Sequence, residues 1–128
     1  MSIYAVAAVG VGAALGAWLR WWLDLILNPI FPLLPFGTLL ANLVGGYLVG
    51  IAVEYSFYNA ALSFEARLFI VTGFLGGLTT FSTFSSETVL LLLREQYGWA
   101  LAMISFHLLG SLVMTVLGIF TVRFFTQH

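Results

Sequence analysis

The stretch Gly73-Phe74-Leu75-Gly76-Gly77-Leu78-Thr79-Thr80-Phe81-Ser82-Thr83-Phe84-Ser85-Ser86-Glu87 decides how this chain is read. It continues an apolar run that begins at Leu68, and it sets a glycine pair and a dense row of hydroxyls where the midplane of a bilayer is expected. Adjacent glycines each weaken a helix by about 1 kcal/mol relative to Ala. A helical span through Gly76 and Gly77 is therefore expected to break near 76–79. Peptide groups freed by such a break cannot face lipid, where leaving them unpaired is costly. They must face protein, water or an ion.

On a helical wheel Thr79, Ser82, Thr83 and Ser86 follow the i, i+3, i+4, i+7 spacing of one face, while Phe81 and Phe84 project from another side. A hydroxyl stripe of this kind lines a narrow polar path; the alternative is that each hydroxyl bonds back to a carbonyl one turn earlier and serves packing. The phenyl rings fit the first reading. Their faces are negative and their edges positive, so ring edges can meet an anion without a formal charge that would hold it too tightly to leave. Core packing is the other reading of both rings.

Composition sets the surroundings of this motif. Of 128 residues 62% are hydrophobic and 7% charged, against about 25% charged in a soluble domain. At about 20 apolar residues per membrane helix, the uncharged runs Met1–Leu19, Leu25–Val53, Leu68–Ser86 and Gln96–Val122 supply four spans in one domain. Transmembrane β-strands alternate apolar and polar, and these runs do not, so the fold class is an all-α integral membrane protein set in the lipid bilayer. With four Arg, no Lys and a net charge of −1 there is no basic patch for nucleic acid. The absence of Cys excludes disulfides and thiolate chemistry. The first 20 residues have no charged leader region or cleavage site before a polar domain, so they read as a retained span beginning at Met1.

The spans are expected at about 4–23, 36–55, 68–94 and 99–125. The first ends in Trp18, Arg20, Trp21 and Trp22, an interfacial belt with a snorkelling Arg. Asn28, Pro29, Pro32 and Pro35 then break the chain. In the second span Ala41/Gly45 and Gly46/Gly50 allow close helix packing. Glu54, Asn59, Ser63, Glu65 and Arg67 form the next connection. Arg67 and Arg123 fall on the side of the termini and Arg20 and Arg94 on the other. Two against two is no bias, so the chain is expected to insert both ways up and to pair with an inverted copy about a two-fold axis in the membrane plane.

Three further polar residues stand inside spans. Asn42 requires partners in hydrocarbon and either donates to a passing anion or bonds between helices. His107, on the fourth span with Ser105, Ser111 and Thr115, reads as a packing residue, with a ligand or proton carrier as the alternative. Glu87 lies in a vestibule or snorkels.

The segments Gly73–Ser85, Gly37–Gly46 and Gly16–Trp21 together resemble the Fluc or CrcB-type fluoride channels. The resemblance implies an antiparallel homodimer of four-helix subunits in the bacterial inner membrane, with two pores that passively export fluoride and so relieve its toxicity. It also implies a structural Na⁺ at the dimer centre, held by the carbonyls of Gly76 and Thr79 and by the same pair from the inverted copy. Phe81 and Phe84 would border the pores and Asn42 would donate to fluoride beside them. Thr38, Ser82, Thr83 and Ser111 would supply track hydroxyls, and Arg20 would stand at an aqueous vestibule. No hydrolytic residue set suggests an enzyme. The rival is a proton-coupled small multidrug-type exporter, which wants a carboxylate in its first span; residues 4–23 hold none. A purely structural subunit is a third reading.

Overall fold

A computed structural model describes residues 2–58 and 62–126, with the side chains of Phe57 and Tyr58 excepted. Met1 and Asn59, on which the sequence carries expectations, lie outside the described residues. Among the described residues all regular structure is helical, and four segments are long and apolar enough to cross a membrane: Ile3–Ile30, Phe36–Ser56, Phe64–Leu93 and Tyr97–Thr126.

Helix α1 (Ile3–Leu27) starts at Ser2, whose hydroxyl accepts the Ala5 N–H at 3.1 Å. It runs past the expected end at 23 because its last turn is bonded to the next helix: Thr38 donates to Asp24 at 3.4 Å, and the Asn28 carboxamide accepts the Thr38 N–H at 3.1 Å. A short 3₁₀ turn at Asn28–Ile30 follows, and with Pro32 and Pro35 it holds the chain out of an α-helix until α2 (Phe36–Tyr58). Ser63 caps α3 (Phe64–Arg67) by accepting from the Ala66 N–H.

The third segment continues as a π-helix, Leu68–Leu75, then one α-turn, α4 (Gly76–Leu78). Thr79 and Thr80 are extended, at φ −83°, ψ 152° and φ −146°, ψ 120°, before α5 (Phe81–Leu93). Sequence reasoning put a break at 76–79 on the strength of the glycine pair. Gly76 is instead helical, at φ −63°, ψ −37°, and the extended residues are the two threonines. Gly77 serves contact: a Cβ there would strike the Ala13 backbone of α1. The wide π turns had no signature in the sequence; such turns recur at functional sites.

Helix α6 (Tyr97–Thr126) completes the bundle. It packs on α2 through a second backbone-close seam, where a Cβ on Gly50 would meet the Thr115 carbonyl and one on Gly118 the Tyr47 carbonyl. Most of the buried apolar residues described form two small groups, Leu34 with Leu91, Ala100 and Met103, and Ala41 with Leu75 and Leu78. Much of the remaining apolar surface is outward, as at Leu108, Leu109, Leu112 and Val113. In water that exposure would cost about 25 cal/mol per Å²; against lipid it costs nothing, which is the environment the composition demands.

Candidate ion site

The interruption at Thr79–Thr80 is built by residues from both sides. Inside an unbroken helix the Thr80 N–H would reach Gly76 O. Here it donates to Asn42 Oδ1 at 2.7 Å, while Asn42 Nδ2 donates to Thr80 O at 2.9 Å. One carboxamide from α2 thus pairs both backbone polar groups of Thr80. The Thr80 hydroxyl then caps α5 by accepting the Thr83 N–H at 3.1 Å, which withdraws the partner that Thr79 O would have in a continuous helix. The Gly76 and Thr79 carbonyls are therefore released from their helical acceptors' role together. They are hard oxygen donors of the kind that replace a cation's hydration shell. Gly76 is exposed, and a Cβ there would meet only the Val71 carbonyl, at 3.7 Å. Among the described residues no three His, Asp or Glu side chains gather as metal ligands.

Beside the interruption lies a cavity of about 370 Å³. Its lining includes Asn42, Gly76, Thr79, Thr80, Phe81, Phe84, His107 and Ser111. Formal charge is missing from that lining, and donors alternate with rings. Phe81 stands out at 78% exposed, while Phe84 is half-buried. The two rings meet edge to face, with centroids 5.6 Å apart at 65°. Phe84 also leans on the His107 imidazole, at 4.8 Å and 32°. His107 Nδ1 is 3.0 Å from Asn42 Nδ2.

A second polar cluster lies further along α5. Thr38, fully buried, donates its hydroxyl hydrogen to Glu87 at 2.8 Å, with Asp24 a longer acceptor at 3.4 Å and Asn28 Nδ2 donating back at 3.4 Å. The other Glu87 oxygen is buried without a protein partner. Arg20 is turned inward, its Nε donating to Gly77 O at 3.2 Å, so it braces the carbonyl end of α4. At the opposite end of the bundle Arg123 pairs with the nearly buried Glu54 at 2.9 Å.

Of the residues singled out in the sequence, the cavity collects Asn42, Gly76, Thr79, Phe81, Phe84 and Ser111. Thr38, Ser82, Thr83 and Arg20 lie outside its lining. The four-residue hydroxyl stripe does not survive, because Thr79 is itself extended, outside α5, and bonds its own hydroxyl to Leu75 O at 2.8 Å. Only Ser82, Thr83 and Ser86 share α5. Asn42 has both amide hydrogens committed, to Thr80 O and His107 Nδ1, which is the interhelical reading and leaves none for an ion. Sequence reasoning missed Thr80, whose signal was that of an N-cap three residues before Thr83. It also undervalued His107, whose contact with Asn42 spans 65 residues and has no local sign.

Residues 7–119 match the family model described as CrcB-like protein, Camphor Resistance (CrcB). A protein of Nitrosospira multiformis named fluoride-specific ion channel FluC is 66% identical over the whole length of both chains. Proteins of the same name from Cupriavidus taiwanensis and Dechloromonas aromatica are each 58% identical, covering 91% and 89% of this chain and 92% and 84% of their own. Four apolar spans and these relatives make this a multi-pass bacterial membrane protein, and the chain belongs to the CrcB family.

Proposed function

We propose that the chain is a fluoride-selective, passive ion channel that lets cytoplasmic fluoride leave down its electrochemical gradient. The observation that carries this reading is the uncharged cavity where the edge-to-face pair Phe81 and Phe84 stands beside hydrogen-bond donors. Ring edges and neutral donors replace the water a small halide gives up, and neither binds so strongly that the ion stays. The naming of relatives at 66% and 58% identity as fluoride-specific channels supports the same function.

The working unit is an antiparallel homodimer with an inverted copy, each pore bordered by phenylalanines of both subunits. Support comes from the two-against-two arginine count and from the outward Phe81, whose ring is left largely uncovered by its own chain. The third segment acts as a broken helix whose Gly76 and Thr79 carbonyls hold a structural Na⁺ at the dimer centre. When bound, Na⁺ would neutralise the converging carbonyl dipoles. Thr38, Ser82, Thr83 and Ser111 supply hydroxyls along the approach, and Arg20 fixes the turn at Gly77 near one mouth.

The test is fluoride efflux from liposomes holding the purified protein, with and without Na⁺. Rapid electrogenic efflux that ignores an imposed pH gradient is expected. Obligatory exchange of protons for substrate, or fluoride trapped in the vesicles, would refute the channel.

A further inference from the structure

The spans of this bundle join in two close pairs. Glycines bring α1 against the third segment, where a Cβ on Gly12 would strike Phe69 O, and α2 against α6, at Gly50 and Gly118. Between the pairs, α2 is tied to the third segment through Thr38 and Asn42, which reach Glu87 and Thr80. From Leu48 onward a gap of about 300 Å³ lies between them. Leu48 and Ala52 wall it on one side and Ile70 and Phe74 on the other, while Val71 and Leu75 are shared with the ion cavity. Tyr55 and Arg67 line its far end, close to where the second span stops at Ser56 and the third starts at Phe64. The gap thus runs inward from the membrane surface. Leu48 to Tyr55 is about 10 Å of helix, two thirds of the roughly 15 Å half-thickness of the hydrocarbon layer.

We infer that this gap is a phospholipid site, in which an acyl chain lies along the apolar walls and the lipid phosphate is held at Arg67. Water cannot fill it. The Ser56 hydroxyl hydrogen is already given to Ala52 O at 2.7 Å, so water between these walls would lack the two to four polar partners that hold it. Left empty, the gap would forfeit the dispersion contacts of its lining. A flexible hydrocarbon chain supplies them, and the surrounding bilayer provides one at every moment. At the mouth Arg67 is exposed, makes no ion pair among the described residues, and has no carboxylate beside it in the lining. Its planar fork of donors matches the oxygens of a phosphate. A second copy of the chain is the competing occupant, and the faces of α2 put the mouth elsewhere. Ile51 and Tyr55 share a stripe with the outward Leu40 and Val44, whereas Asn42, Gly45 and Val49 of the ion cavity lie roughly 140° around the helix at 100° per residue. The mouth opens onto lipid, whichever ion the cavity passes.

The decisive measurement uses the wild-type protein in phosphatidylcholine vesicles that contain a minority of phosphatidylglycerol bearing a diazirine midway along one acyl chain. After illumination the labelled residues are mapped by peptide fragmentation. Label is expected to concentrate at 48–55 and 70–74, in excess of that on Tyr4, Val11 and Leu15, which are exposed on α1. Equal labelling of both sets would mean ordinary boundary lipid and overturns the inference. So does a gap free of label whose residues cross-link instead to a second copy. Two variants sharpen the result. Arg67→Gln is expected to lower the excess about fivefold, the worth of one cation beside an anionic headgroup, with ion efflux unchanged. Ala52→Leu puts a branched chain in the gap and is expected to drive the label from Ile70 and Phe74. An excess untouched by Arg67→Gln, or label on Ile70 and Phe74 untouched by Ala52→Leu, also overturns it. The wild-type map is read whether or not either variant folds.

Discussion

The two polar clusters of this bundle use the same pair of helices to opposite ends. Asn42 and Thr38 stand one turn apart on α2, about 6 Å along its axis, and each reaches across to the third segment. Asn42 meets the extended backbone at Thr80, and every group in its cluster is neutral. Thr38 meets Glu87, about 9 Å further along from the start of α5, in company with a second carboxylate at Asp24. The neutral cluster uses nearly all its hydrogens; the acidic one holds two carboxylates, which share the Thr38 hydroxyl hydrogen, and leaves one Glu87 oxygen bare. Surplus donors belong where an anion is desolvated. Surplus acceptors would repel it, and they are kept toward the helix ends, beside Asn28 and the chain's turn into Pro29.

The harshest trial of that contrast is to remove the rings that share the neutral cluster's cavity. Phe81→Ile and Phe84→Ile are each expected to cut fluoride efflux at least about a hundredfold, near 2.7 kcal/mol in barrier, with the protein still assembled on size-exclusion chromatography. Normal conduction in both would end the ring-edge account. Gly77→Val should act on assembly instead, since its side chain would strike Ala13; a loss of about 1–3 kcal/mol in resistance to chemical unfolding is expected, as for other overpacked sites. Gly76→Val sharpens this, because a Cβ there makes only an ordinary contact, with the Val71 carbonyl at 3.7 Å. It should leave the protomer folded and remove the dependence on Na⁺.

A gentler probe compares the clusters directly. Thr80→Ala removes the cap of α5 and is expected to cost about 1 kcal/mol of stability in denaturant titration. Thr38→Val strips the one donor from Glu87 and is expected to cost about 1–3 kcal/mol, while lowering flux less than either Phe substitution. Equal losses of flux from Thr38→Val and Phe84→Ile would erase the distinction between the clusters. The smallest effect is expected at the far end. Arg123 is 48% exposed in its pair with Glu54, so Arg123→Gln should change stability by no more than about 1 kcal/mol and leave efflux unchanged.

The four spans were legible because continuous apolarity over about 20 residues has few other meanings, and Pro29, Pro32 and Pro35 marked the first turn without help from tertiary structure. Local signs failed where distant residues decide. The glycine pair was read as weakness in the backbone, but Gly77 is small because α1 touches it. The extended residues are Thr79 and Thr80 because Asn42, 38 residues earlier, takes the Thr80 peptide groups and the Thr80 hydroxyl takes over at Thr83. A helical wheel drawn through Thr79 could not foresee that its hydroxyl and that of Ser82 belong to different helices. His107 gave no sign at all, since nothing near it in the chain distinguishes a packing imidazole from one held by a carboxamide.

The contact between Asn42 and the Thr80 peptide has a consequence for biogenesis. Asn42 leaves the ribosome before Thr80 does, so a partner is already in the bilayer when the awkward peptide groups of the third segment arrive. His107 follows Thr80 by 27 residues, which at about 5–20 residues per second is a wait of about 1–5 s. During that interval the carboxamide holds the nascent strand with one hand only, and the last helix to be translated is the one that finishes the joint.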